Sequence, residues 1–301
     1  MNDNVVETNS VKAWLLASRP KTLTGAAVPV MIATALALRD SVWQINTMPV
    51  VLCFLFAFIM QIDANFINDY FDFVRHNDDE TRLGPKRACS QGWITVGAMR
   101  RGIAVATVSA CLVGAPLIAW GGVWMVVFGL LCVVFCFLYT THLSYIAMGD
   151  VLVLLFFGIV PVTLTYYLEM PAGSQPVTWE VFIAALACGI VIDALLVVNN
   201  YRDLAGDRRA GKRTLAVVLG PALTRRLYSY LGVAAYLMSF VFMAVDSLWG
   251  ALLPLIYLLL HLKTYRKMVR INEGPALNGI LGETARNIFI YGLLVSIGLL
   301  L

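Results

Sequence analysis

Two short stretches of this chain bring together side chains that can hold a charged ligand. In Asn68-Asp69-Tyr70-Phe71-Asp72, a helix of about 3.6 residues per turn puts Asn68 and Asp72 on one face, with Asp69 one turn before Asp72. A polar segment containing Asp78, Asp79 and Glu80 follows. In Asn199-Asn200-Tyr201-Arg202-Asp203-Leu204-Ala205-Gly206-Asp207, the residues Asn199, Asp203 and Asp207 recur every four positions and form one stripe. The basic block Gly211-Lys212-Arg213-Thr214 comes directly after and can reach back over that stripe.

The chemistry these residues suit is the binding of a metal-bridged phosphate. Carboxylates brought close together repel, and a hard divalent cation with oxygen ligands relieves that repulsion. Magnesium binds through few protein carboxylates and completes its shell with water and substrate phosphate, which leaves Lys and Arg to take the remaining phosphate oxygens. A single Asp at a helix end is more simply a cap or a solvated loop charge. Two aligned stripes, each with Asn, Asp and a following basic segment, favour a binding site. Their separation, from position 68 to position 199, suggests an internal repeat whose matching elements face each other.

The elements that must position these residues are membrane helices. Of 301 residues, 60% are hydrophobic and only 13% charged, about half the charged share of a soluble domain. Nine apolar runs recur, at about residues 22–38, 48–67, 102–119, 122–140, 151–168, 180–198, 227–245, 248–262 and 288–301. Most approach the ~20 residues that a helix needs to cross a bilayer, and their continuity excludes the alternating pattern of a barrel strand. The expected fold is all-α, a polytopic bundle of about nine transmembrane helices. Both acidic stripes lie at run ends, on the second and sixth runs.

With nine spans, every Lys and Arg among the 22 except Arg39 falls on one side of the membrane. The positive-inside rule makes that side cytoplasmic, with the N-terminus inside and the C-terminus outside. No secretory signal is expected, because the first ten residues are polar and end in no cleavage site. A net charge of +4 with acids interleaved among the bases speaks against a nucleic-acid partner. The six cysteines lack the partners of a zinc site and read as small packing residues. Ser18-Arg19-Pro20-Lys21-Thr22 places two cations at the cytoplasmic start of the first span, either as anchors or as phosphate ligands. His76, His142 and His261 are isolated and read as structural donors.

The two aspartate motifs resemble those of the intramembrane UbiA-type prenyltransferases, and within them the 1,4-dihydroxy-2-naphthoate polyprenyltransferases of menaquinone biosynthesis. Four further blocks carry the resemblance: Arg19-Pro20-Lys21-Thr22, Arg82-Leu83-Gly84-Pro85-Lys86-Arg87, Gly149-Asp150 with Phe156-Phe157-Gly158, and Ala210-Gly211-Lys212-Arg213-Thr214-Leu215-Ala216-Val217. One departure stands between the fourth and fifth runs, where Tyr139-Thr140-Thr141-His142-Leu143-Ser144-Tyr145 lacks the Lys or Arg often found in relatives. His142 or a residue elsewhere is expected to substitute.

The resemblance implies a single domain over residues 1–301, with internal halves at about 12–142 and 147–301, whose helices surround a central cavity. It implies that Asn68, Asp72, Asp78, Asp203 and Asp207 carry Mg2+ and diphosphate, with Asn199 in support. Lys212 and Arg213, and more weakly Arg19, Lys21, Arg82 and Arg87, would hold the diphosphate. Tyr70, Tyr139 and Tyr201 are candidates to face an allylic cation. The donor would be an all-trans polyprenyl diphosphate with its tail toward membrane lipid, the acceptor 1,4-dihydroxy-2-naphthoate, and the product demethylmenaquinol, made in the cytoplasmic (inner) membrane. The alternatives are another aromatic acceptor, such as 4-hydroxybenzoate or haem, or a membrane transporter. Acids gathered at one side rather than at the midplane speak against the transporter.

Overall fold

A computed structural model of the chain describes residues 6–75, 83–173 and 177–301. Among these, nine helices are long and apolar enough to span a bilayer: α1 (Val11–Asp40), α2 (Thr47–Val74), α3 (Val96–Gly121), α4 (Trp124–Thr141), α5 (Gly149–Glu169), α6 (Trp179–Arg209), α7 (Leu215–Val245), α8 (Leu248–Ile271) and α9 (Leu277–Leu300). No strand occurs among the described residues.

The helices run past the apolar stretches, and they do so mainly on the basic side. α2 continues from the end of its run near 67 to Val74, α6 from near 198 to Arg209, and α8 from near 262 to Ile271. α7 and α9 begin well before their runs, at Leu215 and Leu277. Arg202, Arg208 and Arg209 therefore belong to α6, Arg225 and Arg226 to α7, Lys263, Arg266, Lys267 and Arg270 to α8, and Arg286 to α9. They lie beyond the apolar runs, where hydropathy alone places connecting loops. The reason is capping: the Thr214 hydroxyl accepts the Val217 amide at the start of α7, and Gly211, at φ 71°, closes α6 in the left-handed conformation.

α6 is the most enclosed span. Its Ala184, Ala185, Ala187, Cys188 and Gly189 bring neighbouring backbones close. Gly158 of α5 meets it directly: a Cβ there would stand 2.6 Å from the Ala185 carbonyl and from Gly189 Cα. α5 widens to a π-helical turn over Leu154–Ile159 at this crossing. α4 is the contrast, with almost none of its residues fully buried. Trp124, Val127 and Val134 face outward, while Phe128, Cys132, Phe135 and Tyr139, at helical spacing, face a cavity.

α1 is interrupted. Its first helix, Val11–Ser18, ends at Arg19, which takes a left-handed φ of 49°, and a short 3-10 turn at Pro20–Thr22 leads into Leu23–Asp40. Asn65 of α2 fixes the break, donating to the Ser18 carbonyl and to the Thr22 hydroxyl, each at 2.9 Å.

Candidate active site

The ends of α2 and α6 meet over the mouth of one large cavity of about 1660 Å³. Asn68, Asp72, Asn199, Asp203 and Asp207 all line it, as do Arg19, Lys21, Arg87 and Lys212. Below the charged mouth the wall turns apolar, with Phe128, Phe135, Phe156, Phe157 and Leu164. The volume exceeds the 300–1,000 Å³ or so of an ordinary small-molecule pocket and has room for a long apolar tail.

Each acid is held in a defined way. Asp72 is buried and pairs with Arg87 from the connection between α2 and α3. Lys212 stands 3.6 Å from Asp72 and 4.0 Å from Asp207, so one ammonium bridges the two motifs. The turn after α6 puts it there: with Gly211 left-handed, the Lys212 amide donates to the Asp207 carbonyl at 2.9 Å and its side chain folds back over the stripe. Asp203 accepts from Arg202 at 2.8 and 2.5 Å. Arg202 also donates to Asn199 and to Asn278 of α9, both at 2.9 Å. Asn68 accepts from the Thr140 hydroxyl of α4 at 2.6 Å.

Asp69 has a separate role. It is buried, and its two carboxylate oxygens accept the Ala88 and Cys89 amides at 2.7 and 2.9 Å. It ties down the connection that carries Arg87. Asn278 adds a second tie, donating to the Leu83 carbonyl at 2.7 Å.

Other expected residues lie off the cavity. Tyr70 packs edge-on against Phe71 in a separate cluster, and the Tyr201 hydroxyl donates to the Asn272 carbonyl at 2.5 Å; neither lines the cavity, whereas Tyr139 does. Arg213 is exposed, and its backbone amide donates to the Tyr145 carbonyl. Asp78 and Arg82, together with His76, lie outside the described residues. His142 is exposed and meets Thr141, so it does not supply the cation missing from the α4–α5 connection. Lys212 lies over the Tyr145 ring of that connection at 5.5 Å.

Arg202, Asn278 and Thr140 line the cavity without standing out in the sequence as site residues. Arg202 stands inside the second motif and reads there as one more loop cation. Asn278 and Thr140 carry no local pattern, since their partners lie on other helices.

No group of three or more His, Cys, Asp or Glu among the described residues is placed to hold a metal by itself. That agrees with magnesium's habit of taking one or two carboxylates and completing its shell from substrate phosphate and water. Asp72, Asp203 and Asp207, each now neutralised by Arg87, Arg202 or Lys212, suit such a shared site.

The family model for the UbiA prenyltransferase family matches residues 26–279. The 1,4-dihydroxy-2-naphthoate octaprenyltransferase of Escherichia coli is 34% identical over 96% of this chain and 96% of its own length. The enzyme of the same name from Mycobacterium leprae is 31% identical over 95% and 96%. Among solved structures, a UbiA homologue of Aeropyrum pernix superposes with TM-score 0.68 at 14% identity, over 92% of this chain and 96% of its own. A UbiA homologue of Archaeoglobus fulgidus bound to DMAPP and Mg2+ does so with TM-score 0.63 at 15% identity, over 94% and 99%. With nine apolar helices among the described residues and this family match, the chain is a multi-pass membrane protein that belongs to the UbiA prenyltransferase family.

Proposed function

We propose that the chain transfers a polyprenyl group from an all-trans polyprenyl diphosphate to 1,4-dihydroxy-2-naphthoate, with loss of carbon dioxide, giving demethylmenaquinol. The observation that carries this reading is the meeting of two carboxylate-bearing helix ends, bridged by Lys212, over an apolar cavity of about 1660 Å³. The acceptor is supported by the naphthoate enzymes of E. coli and M. leprae, which align along nearly the whole chain.

Asn68, Asp72, Asp203 and Asp207 would hold Mg2+, with Asp78 a further candidate. When bound, the metal supplies positive charge where negative charge grows on the departing diphosphate. Lys212, Arg87, Arg19 and Lys21 line the same mouth and take the remaining phosphate oxygens. The allylic C–O bond breaks with its electron pair leaving on the diphosphate. The tail lies among the phenylalanines below, which keep water from the allylic cation. Tyr139 faces that space and offers its ring to the cation. The naphthoate carbon bearing the carboxylate forms the new C–C bond, and carbon dioxide leaves as the ring recovers its aromaticity.

By the positive-inside rule the site side is cytoplasmic and the protein lies in the inner membrane. The paired motifs support a duplicated domain with halves at about 12–142 and 147–301. The deciding experiment supplies purified protein with magnesium, geranylgeranyl diphosphate and either 1,4-dihydroxy-2-naphthoate or 4-hydroxybenzoate. A prenylated naphthoquinol with matching carbon dioxide is the expected result. Product with hydroxybenzoate alone would move the assignment to another acceptor.

A further inference from the structure

α8 and α9 leave a cleft of about 350 Å³ between them, on a face of α9 other than the one that lines the cavity. Its charged wall is Lys263 and Lys267 from α8 with Glu283 and Arg286 from α9, an excess of two positive charges. Glu283 is already engaged: it accepts from Lys267 at 2.5 Å and from Thr264 at 3.2 Å. Lys263 and Arg286 are exposed, and neither forms an ion pair among the described residues. Among the described residues the Arg286 side chain makes one long hydrogen bond, 3.5 Å to Asn287, and its charge is also felt by Glu283.

The depth of these two cations is informative. Lys263 directly follows the apolar run that ends near 262, and Arg286 just precedes the run that begins near 288. Each therefore lies roughly 12 Å inside the end of its helix, at the level where hydrocarbon gives way to headgroups. Cations on a lipid-facing surface at that level are attracted to anionic headgroups by about 1 kcal/mol each. Toward the membrane centre the same surface continues with exposed Ile256 and Leu259 on α8 and Phe289 and Leu293 on α9. Cations at the headgroup level above an open apolar face fit an anionic lipid rather than a free anion.

We propose that this cleft binds an anionic phospholipid, with Lys263 and Arg286 on the headgroup phosphate and the acyl chains along the exposed apolar face below them. The inference rests on the chain's spanning the membrane and is independent of the transfer reaction.

The test uses the purified full-length protein in neutral detergent, titrated with phosphatidylglycerol, phosphatidylcholine of the same acyl chains, or inorganic phosphate, with bound lipid read by native mass spectrometry. Phosphatidylglycerol is expected to be retained over phosphatidylcholine. Lys263→Gln and Arg286→Gln should each weaken it about five-fold, the loss of one cation near a charged headgroup. Arg100→Gln with Arg101→Gln, two exposed cations of α3, should leave retention unchanged. Equal retention of the two lipids, full retention by the Lys263→Gln/Arg286→Gln double variant, or displacement of phosphatidylglycerol by equimolar inorganic phosphate would each overturn the proposal. Lys263 makes no side-chain hydrogen bond among the described residues, so Lys263→Gln alone carries the test should the double variant not fold.

Discussion

Arg202 donates to the side-chain oxygen of Asn278 at 2.9 Å, and this bond links the second aspartate motif to the last helix. Asn278 in turn donates to the Leu83 carbonyl at 2.7 Å, so the link reaches the connection that carries Arg87. A buried guanidinium thus sets Asn199, Asp203 and the α2–α3 connection together. Lys cannot reproduce that fork of donors. Arg202→Lys should lower kcat/KM by about 10²-fold, the scale of a misplaced site, in steady-state assays of purified protein. Wild-type turnover in this variant would mean that the Arg202 fork of donors does not position the site.

Asp72 separates structure from chemistry. Asp72→Ala takes from the buried Arg87 the Asp72 carboxylate, which should lower stability by up to about 3–5 kcal/mol as well as turnover. Asp72→Ala combined with Arg87→Ala should recover much of the melting temperature and none of the activity. Activity returning along with stability would show that Asp72 serves the fold alone.

Asp69→Asn should loosen the α2–α3 connection, since a neutral amide cannot accept both the Ala88 and Cys89 amides as the carboxylate does. A loss of about 1–3 kcal/mol is expected locally, read as faster limited proteolysis between α2 and α3. KM for the diphosphate should rise more than kcat falls, because Asp69 touches the connection and not the cavity.

Gly158→Ala drives a methyl group into the α6 backbone, with contacts of 2.6 Å to atoms that cannot turn aside. Its melting temperature should fall by the equivalent of about 1–3 kcal/mol, the cost of overpacking. Gly129→Ala, where nothing lies within 4 Å, is the matched control and should be neutral.

Tyr139→Ala and Tyr201→Phe should divide the tyrosines. The first removes a ring from the cavity wall and should cost about 10-fold or more in kcat, if the ring is worth the 1–2 kcal/mol of a desolvated cation–π contact. The second removes the hydroxyl bonded to Asn272 and should move the melting temperature with kcat nearly unchanged.

The nine spans were legible because hydrocarbon imposes continuous apolar runs, and the stripes of Asn68/Asp72 and Asn199/Asp203/Asp207 because helical spacing predicts a shared face. What hydropathy could not convey is how far the helices continue beyond the runs. Arg202 and Arg286 therefore read as loop cations although both are helical. Residues whose partner lies far along the chain were equally silent. Asn278 meets Leu83, and Thr140 meets Asn68, through contacts that only the packed bundle creates. Tyr70 and Tyr201 misled for the converse reason, since adjacency to an aspartate in sequence is a different face on the helix.

The thin wall made by α4 has a kinetic consequence. One helix, lined with Phe128 and Phe135 on its inner side and exposed Val127 and Val134 on its outer, separates the cavity from the surrounding lipid. A donor whose tail dissolves in that lipid is presented to the enzyme by the bilayer, so the concentration that governs saturation is its mole fraction in the membrane plane. Adding inert phospholipid at constant donor should slow turnover, and adding buffer should not.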